Sequence, residues 1–230
     1  MIEILFASVL FLVTHLGISS TPLRGSLVGV LTERGFLGVY SLVALATLVY
    51  LIMVYGDATR YDYLWSPDPN LYWAPKILMV FALIFLLGGF MVKNPTTVGL
   101  EGALDDPAQL AGLTRGMNRI TRHPFQWGVV LWAASHIVAN GDVVSIVFFT
   151  TFLVLSLAGS FLIDLKKARV LGDRWAPFAA ATSNVPFVAI ISGRNQLVFK
   201  ELLVPIGVAL AVYVALFWTH EWISGVGVYW

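Results

Sequence analysis

Four histidines are the residues of this 230-residue chain with the most evident capacity for chemistry. They are His15, His123, His136 and His220, and His136 lies well inside an apolar stretch, WGVVLWAASHIVAN. Neutral imidazole is the commonest protein ligand for metals, and an ionisable side chain inside a membrane segment normally has a partner or a function. No charged residue of this stretch pairs with His136. We therefore expect His136 to be a metal ligand or a neutral imidazole hydrogen-bonded to a neighbouring helix.

A second metal ligand for His136 must come from another helix. His123 lies 13 positions earlier in the same stretch, which is roughly 20 Å along a helix at about 1.5 Å per residue. The remaining candidates are His15, His220, Met79 and Met91. The chain has no cysteine, which excludes thiolate ligands and iron–sulfur clusters. An apolar bundle without a carboxylate cluster suits haem better than zinc or di-iron, so we predict that His136 is an axial haem ligand.

The other polar positions fit more than one role. Arg122 and His123, in RITRHP, fit two roles. They would mark the start of a helix, with cations that fix the topology or bind lipid phosphates, or they would form a polar cluster that binds an anionic cofactor. Arg119 would either bind haem propionates or fix topology. We expect His220, in WTHEW, to be an interfacial residue at a helix end.

The elements that must position these residues are predicted to be transmembrane helices. The chain is 58% hydrophobic and 12% charged, with a mean hydropathy of +0.83, whereas soluble domains carry about 25% charged residues. Six stretches are long enough to cross about 30 Å of hydrocarbon, at 2–18, 36–55, 75–92, 124–140, 143–163 and 202–222. We predict an all-α, polytopic transmembrane helix bundle that forms a single domain over residues 1–230.

The distribution of cations predicts the orientation of this bundle. Of the 14 lysines and arginines, two lie at 19–35, four at 93–122 and six at 164–200. The positive-inside rule makes these three connections cytoplasmic and places both termini on the outer, periplasmic side of a bacterial inner membrane. The short NGD connection makes the fourth and fifth helices an antiparallel hairpin. The bilayer is the expected partner and an apolar small molecule the expected substrate, while a net charge of +1 gives no reason to expect nucleic acid.

Three stretches carry a resemblance to a known family: THLGISSTPLR, RITRHPFQWGVVLWAASHIVANGD and DLKKARVLGDRWAPFAAATSNVPFVAI. Over nearly its whole length the chain resembles the NnrU family of integral membrane proteins, which includes the plant and algal 15-cis-zeta-carotene isomerases. The resemblance implies a b-type haem whose iron is held by two histidines, matching His15 and His136. The isomerases carry a cysteine three residues before the second histidine. Ala133 stands at that position here, so an exchange with thiolate is excluded.

Depth in the membrane keeps two other histidine pairs open as haem ligands. His15 is predicted near the cytoplasmic side, whereas His136 is roughly 18 Å along the fourth helix from its cytoplasmic end. His15 with His123, and His136 with His220, are therefore geometric alternatives to the pair that the resemblance implies.

A second resemblance leads to different chemistry. The block of Arg122, His123 and Pro124, followed by Asp164 and TSNVPF, is similar to the C-terminal region of isoprenylcysteine carboxyl methyltransferases. It implies an S-adenosylmethionine site lined by Arg122, His123 and Asp164. Leu165 follows Asp164 where those enzymes have the second acid of a Glu-Glu pair.

Three functional hypotheses follow. The first is a haem b membrane protein of the NnrU type, acting as a redox-dependent cis–trans isomerase of carotenoid-like polyenes or in nitrite and nitric oxide respiration. The second is an S-adenosylmethionine-dependent membrane methyltransferase in which Arg122 and His123 serve catalysis. The third is a haem sensor or assembly factor without catalytic activity.

Overall fold

The computed structural model describes residues 1–18, 21 and 23–228, and in this part of the chain it consists of helices and their connections. Six longer helices are α1 (Ile2–Leu12), α2 (Leu23–Asp57), α3 (Trp73–Phe90), α4 (Pro124–Asn140), α5 (Val143–Leu171) and α6 (Leu203–Ser224). A π-helical turn, Val13–Gly17, extends α1. Tyr63 and Asp142 form an isolated antiparallel bridge, and the described residues contain no strand. The predicted all-α class is confirmed.

Shorter helices occupy the connections. They are Pro69–Tyr72, Glu101–Leu104, Pro107–Gln109, Leu110–Leu113, Met117–Ile120, Gly172–Arg174, Ala176–Ala181, Val188–Ile191 and Phe199–Leu202. Most of them lie in the two long cation-rich connections.

Each of the six predicted stretches contains a helix, and four segments of the described chain are long and apolar enough to cross a membrane. These four are Leu23–Asp57, Pro69–Phe90, Val143–Arg174 and Phe199–Ser224. Ile2–Gly17 is apolar but shorter, and α4 has 17 residues. The protein is thus an all-helical membrane protein, while the number of crossings, the side on which the termini lie and the bacterial inner membrane stay predictions.

The second helix differs from its prediction at its start. The predicted segment began at residue 36, but α2 begins at Leu23 and contains a break at Thr32, whose φ of 65° and ψ of 166° are not helical. The Thr32 hydroxyl accepts a hydrogen bond from Gly35 N at 3.4 Å, as a helix-capping residue does. The stretch LRGSLVGVL before the break is helical although Gly25 and Gly29 are weak helix formers.

Helices α3 and α4 approach each other closely at Gly128. A Cβ atom there would lie 2.5 Å from Leu86 Cγ and 2.9 Å from the Ala82 carbonyl oxygen. Small residues allow such close backbone approach between membrane helices, where dispersion contacts rather than hydrophobic burial favour association. α5 packs on the other side of α4, so α4 and its histidine lie between two neighbouring helices.

The two cation-rich connections at 93–122 and 164–200 fold together at one end of the bundle, which we call the inner end. Leu104, Leu113, Trp175 and Phe178 form a small apolar core between them. Lys167 forms an ion pair with Glu101 at 2.6 Å. The opposite end, which we call the outer end, carries the NGD hairpin turn between α4 and α5.

The predicted antiparallel hairpin of α4 and α5 is observed, and the connection after α2 folds onto its turn. Gly141 has a φ of 73°, which terminates α4 in the left-handed conformation. A Cβ there would lie 2.3 Å from the Trp65 carbonyl oxygen, so this turn requires glycine. Leu64 N donates to Gly141 O at 2.9 Å, and Trp65 Nε1 donates to Val138 O at 3.1 Å. The aromatic outer connection therefore covers the end of the hairpin.

Candidate functional site

A buried polar cluster at the inner end is built around the Asp164 carboxylate. Arg122 donates to it twice, Nε to Oδ1 at 2.8 Å and Nη2 to Oδ2 at 2.6 Å. His123 Nε2 lies 2.7 Å from Oδ1, and Asn184 Nδ2 donates to Oδ2 at 3.0 Å. An ionised carboxylate accepts about four hydrogen bonds. The Asp164 carboxylate is therefore fully occupied by contacts within the chain.

Local structure around the start of α4 positions these side chains. Pro124 begins α4, where the missing N–H of proline costs nothing. His123 N donates to the Thr121 hydroxyl at 3.1 Å. Arg122 N donates to Ser183 O at 2.9 Å, which connects this turn to the TSNVPF segment. The RHP block and the segment around Asn184 are consequently held as one unit.

His123 is fully buried in this cluster. Its Nδ1 atom has no hydrogen-bond partner within the described part of the chain. Burial lowers the pKa of His123 below its ordinary value, against the opposing effect of the Asp164 carboxylate, and the Arg122 charge adds to the lowering. The neutral ring then donates from Nε2 to the carboxylate and keeps an unpaired lone pair on Nδ1.

Arg119 is engaged in a second inner-end cluster. Its Nε donates to Glu201 Oε2 at 2.8 Å, and its Nη1 donates to Asn195 Oδ1 at 2.8 Å. Gly116 N donates to the same Glu201 carboxylate at 2.5 Å. These hydrogen bonds hold the connection before α4 against the segment that leads into α6. The role of Arg119 as a ligand of haem propionates stays a prediction, and the contacts observed are structural.

His136 lies near the outer end, on the opposite side of the bundle from His123. Its Nδ1 lies 2.7 Å from the Trp132 carbonyl oxygen, which only accepts, so Nδ1 donates. The ring stacks on Phe149 with centroids 4.8 Å apart, and Trp132 is 5.4 Å away. Nδ1 therefore carries the proton and Nε2 keeps the lone pair that a metal would bind.

His220 is the histidine that the structure brings to His136. Their ring centroids are 6.4 Å apart, and the ring planes are inclined by 23°. His220 Nδ1 lies 2.8 Å from the Val226 carbonyl oxygen and 3.0 Å from the Ser224 hydroxyl. The sequence favoured an interfacial role for His220, with the His136–His220 pair kept as a geometric alternative. The signal in the sequence is the position of His220 at the outer end of the sixth predicted helix, since His136 lies towards the outer end of the fourth.

His15 lies at a different depth. Its Nδ1 bonds to Phe11 O at 2.8 Å, and its ring lies 6.3 Å from that of Tyr40. Phe11 and Trp132 both contact Phe152, at 5.4 Å each.

From the level of Phe152, α1 and α4 continue in opposite directions, because α1 runs parallel to α5 and therefore antiparallel to α4. His15 is four residues beyond Phe11 and His136 four beyond Trp132. At about 1.5 Å per residue the Cα atoms of the two histidines are separated by roughly 12 Å along the bundle, while their rings lie 4.0 Å from the Phe11 ring and 5.4 Å from the Trp132 ring, respectively. The His15–His136 pair stays a prediction.

The predicted residues thus fall into two sites rather than one. Arg122, His123 and Asp164 meet at the inner end, as the second resemblance implied, whereas His136 and His220 meet at the outer end. Asn184 and Glu201 complete the inner clusters, and no spacing in the sequence indicated them. Among the described residues, no group of three or more His, Asp or Glu is placed to hold a metal ion.

Comparison with known proteins gives one family and two relatives. A sequence profile of the NnrU family, described as NnrU protein, matches residues 3–228. The chain is 29% identical over 204 residues to a chloroplastic 15-cis-zeta-carotene isomerase of Zea mays, and 27% identical over 236 aligned positions to that of Arabidopsis thaliana. These alignments cover 85% and 97% of this chain.

The same alignments cover only 52% and 61% of the two isomerases, so the chain spans little more than half the length of these relatives. No solved structure matches the chain.

Proposed function

Because this chain belongs to the NnrU family, we propose that it is a membrane-embedded cis–trans isomerase of a long, apolar polyene, with haem b as its cofactor. The named activity of the two relatives is 15-cis-zeta-carotene isomerisation. A carotenoid-like polyene is the substrate class that this relationship supports. It is also the class that an apolar helix bundle would admit from the bilayer.

The observation that carries the proposal is the state of His136. This imidazole lies in an apolar helix, its Nδ1–H donates a hydrogen bond to the Trp132 carbonyl oxygen, and its Nε2 atom forms no hydrogen bond within the described residues. A backbone carbonyl that fixes the tautomer in this way is typical of metal-ligating histidines. The residues present therefore fit a haem ligand.

The remaining residues would bind and orient the reactants. When bound, haem would supply a redox-active iron able to perturb a polyene double bond. Phe149 and Trp132 provide aromatic surface next to His136, which favours a flat, apolar molecule. Arg122, held by Asp164, fixes the start of the helix that carries His136.

The methyltransferase alternative is less well supported. A nucleoside cofactor would need an acid that accepts hydrogen bonds from its ribose hydroxyls. The Asp164 oxygens already accept from Arg122, His123 and Asn184. With no acceptor site left, the inner cluster is better explained as a structural unit.

The test is isomerisation by the purified protein. Protein loaded with haem and reduced by dithionite is mixed with a cis isomer of zeta-carotene, and the isomers are separated by chromatography. We expect conversion to depend on reduction, to be lost in His136→Ala and to be kept in Gly159→Ala, whose added methyl meets nothing within 4 Å. Haem-loaded, reduced protein that leaves every polyene isomer unchanged would contradict the proposal.

A further inference from the structure

The connection between α5 and α6 exposes a group of large apolar side chains at the inner end of the bundle. These residues, which we call the inner-loop patch, are Val185, Phe187, Val188 and Ile191. Ile191 is 82% exposed, whereas its neighbours Ala189 and Ile190 pack against the protein. Large apolar side chains that are exposed together in one short segment mark a surface that another molecule covers.

The patch lies at the level where the membrane helices begin. Trp127, in the first turn of α4, donates from Nε1 to the carbonyl oxygen of Asn184 at 2.9 Å. Ile190 packs against the buried cluster that contains Phe85, near the inner end of α3. The segment Phe199–Ser224, which is long and apolar enough to cross a membrane, begins shortly after the patch. The patch is therefore next to the surface that the helices expose to lipid.

The backbone of this segment is paired as contact with lipid requires. An N–H group in hydrocarbon has no water to bond, so a non-helical chain can enter a membrane only where the protein supplies the acceptors. Phe187 N donates to Ile120 O at 2.8 Å. Ala189 N donates to the Ser183 hydroxyl at 3.0 Å. Carbonyl oxygens within 187–190 accept from the N–H groups of Ile191, Ser192, Gly193, Arg194 and Asn195. These donors do not need water.

Phe187 occupies a backbone conformation that is unfavourable for a large residue. Its φ of 66° and ψ of −10° are left-handed, which glycine adopts freely and a residue with a bulky side chain only at a cost in free energy. The Phe187 side chain is nonetheless 42% exposed, so contacts within the chain offset little of that cost. A large apolar side chain at this position favours a contact outside the chain.

Two cations follow the patch. Arg194 comes after the short helix that carries Val188, and Lys200 comes before α6; both are exposed. In the described part of the chain neither forms an ion pair with a carboxylate. Arg194 Nη1 donates to the carbonyl oxygens of Ala180 and Thr182, each at 2.9 Å. Cations next to an apolar segment in the membrane interface bind the phosphates of anionic lipids.

We propose that the inner-loop patch is inserted into the leaflet at the inner end, with its side chains among the acyl chains and with Arg194 and Lys200 at the phosphates of anionic lipids. The cation-rich connection at 164–200 then carries a membrane-binding element of its own. Because Asn184 donates to Asp164, this element is joined directly to the cluster that fixes the start of α4. The proposal does not depend on haem or on isomerase activity.

The first test measures depth with nitroxide spin labels on the full chain, reconstituted in vesicles of phosphatidylcholine and phosphatidylglycerol. The chain has no cysteine, so Ile191→Cys and the exposed control Asp106→Cys each provide one labelling position. Electron paramagnetic resonance compares collisions of the label with oxygen, which concentrates in hydrocarbon, and with a water-soluble nickel chelate. We expect oxygen to dominate at Ile191→Cys and the chelate to dominate at Asp106→Cys.

Two results of this measurement would overturn the insertion. One is access of the chelate to Ile191→Cys equal to that at Asp106→Cys, which would place the patch in water. The other is a label at Ile191→Cys that neither reagent reaches, which would show that a partner protein or a second copy covers the patch.

The second test concerns the headgroups and uses Lys200→Gln, with Lys200→Arg as the matched control that keeps the charge. Spin-labelled phosphatidylglycerol and phosphatidylcholine are compared for the fraction of lipid immobilised on the protein. We expect the preference for phosphatidylglycerol to decrease by up to about fivefold in Lys200→Gln, and to be kept in Lys200→Arg. A preference that Lys200→Gln leaves unchanged overturns the headgroup contact.

Discussion

At the scale of single residues, Asp164 is the centre of the inner polar cluster, because its carboxylate makes four hydrogen bonds within the chain. It balances the charge of Arg122, and the side chains of Arg122 and Asp164 are only 13% and 16% exposed. Removing one partner of a buried ion pair leaves an uncompensated charge, which typically costs about 3–5 kcal/mol. The neighbouring contacts to His123 and Asn184 depend on the same carboxylate.

We therefore expect Asp164→Asn to lower the free energy of unfolding by about 3 kcal/mol. Denaturant or thermal unfolding in detergent measures the change. Glu33→Gln is the matched control, because the Arg24–Glu33 pair is 28% and 55% exposed and should contribute less than about 1 kcal/mol. If the two substitutions proved equally mild, the inner cluster would not be the structural unit described above.

His123 gives the inner end a pH dependence. Its pKa is lowered in the folded protein, chiefly by burial, so below the ordinary value of 6.5 the unfolded chain binds the proton more readily than the folded one. The contribution of the neutral ring to stability is complete above pH 6.5 and decreases as the pH falls below it. We expect the melting temperature to decrease from pH 7.5 to pH 5, and to decrease less in His123→Gln. Parallel pH profiles for the two proteins would contradict this account.

At the scale of elements, hydropathy located the helices but not their packing. The six apolar stretches predicted from composition each contain a helix, and the NGD turn is the hairpin expected. The extension of α2 to Leu23 was not predicted, because a break at a single residue such as Thr32 has no hydropathy signal. The close approach of α3 and α4 was equally hidden, since a glycine in an apolar run does not reveal which helix it faces.

Gly128 provides the test of that helix contact. In Gly128→Ala the new methyl group would meet backbone atoms of α3, the Ala82 oxygen and the Leu86 nitrogen, both at 2.9 Å. These backbone atoms cannot move aside as a flexible side chain would, so we expect the free energy of unfolding to decrease by about 1–3 kcal/mol. Gly159→Ala, in α5 with open space around it, should be neutral or slightly stabilising. A Gly128→Ala protein as stable as Gly159→Ala would mean that the two helices are further apart.

At the scale of the whole molecule, the sequence indicated the chemistry better than it indicated which residues meet. His136 was identified from its apolar surroundings, and the RHP block was correctly joined to Asp164. The partner of His136 depends on how α1, α4 and α6 are offset along the bundle, and no local pattern encodes that offset. His220 was ranked below His15 because a histidine at a helix end is usually interfacial, a rule that ignores the neighbouring helix.

The same molecule-wide view makes orientation testable. The two largest groups of cations lie in connections that fold together at the inner end, so the positive-inside rule applies to one continuous surface. The chain has no cysteine, so a single introduced cysteine is its one thiol and the labelling measured is that of the chosen position. Asp68, in the outer connection, and Asp106, in the inner one, are both exposed. We expect a membrane-impermeant maleimide to label Asp68→Cys in intact cells, and Asp106→Cys only after the membrane is opened. The reverse pattern would invert the bundle and place the His136–His220 pair on the cytoplasmic side, where its access to electron donors and substrates would differ.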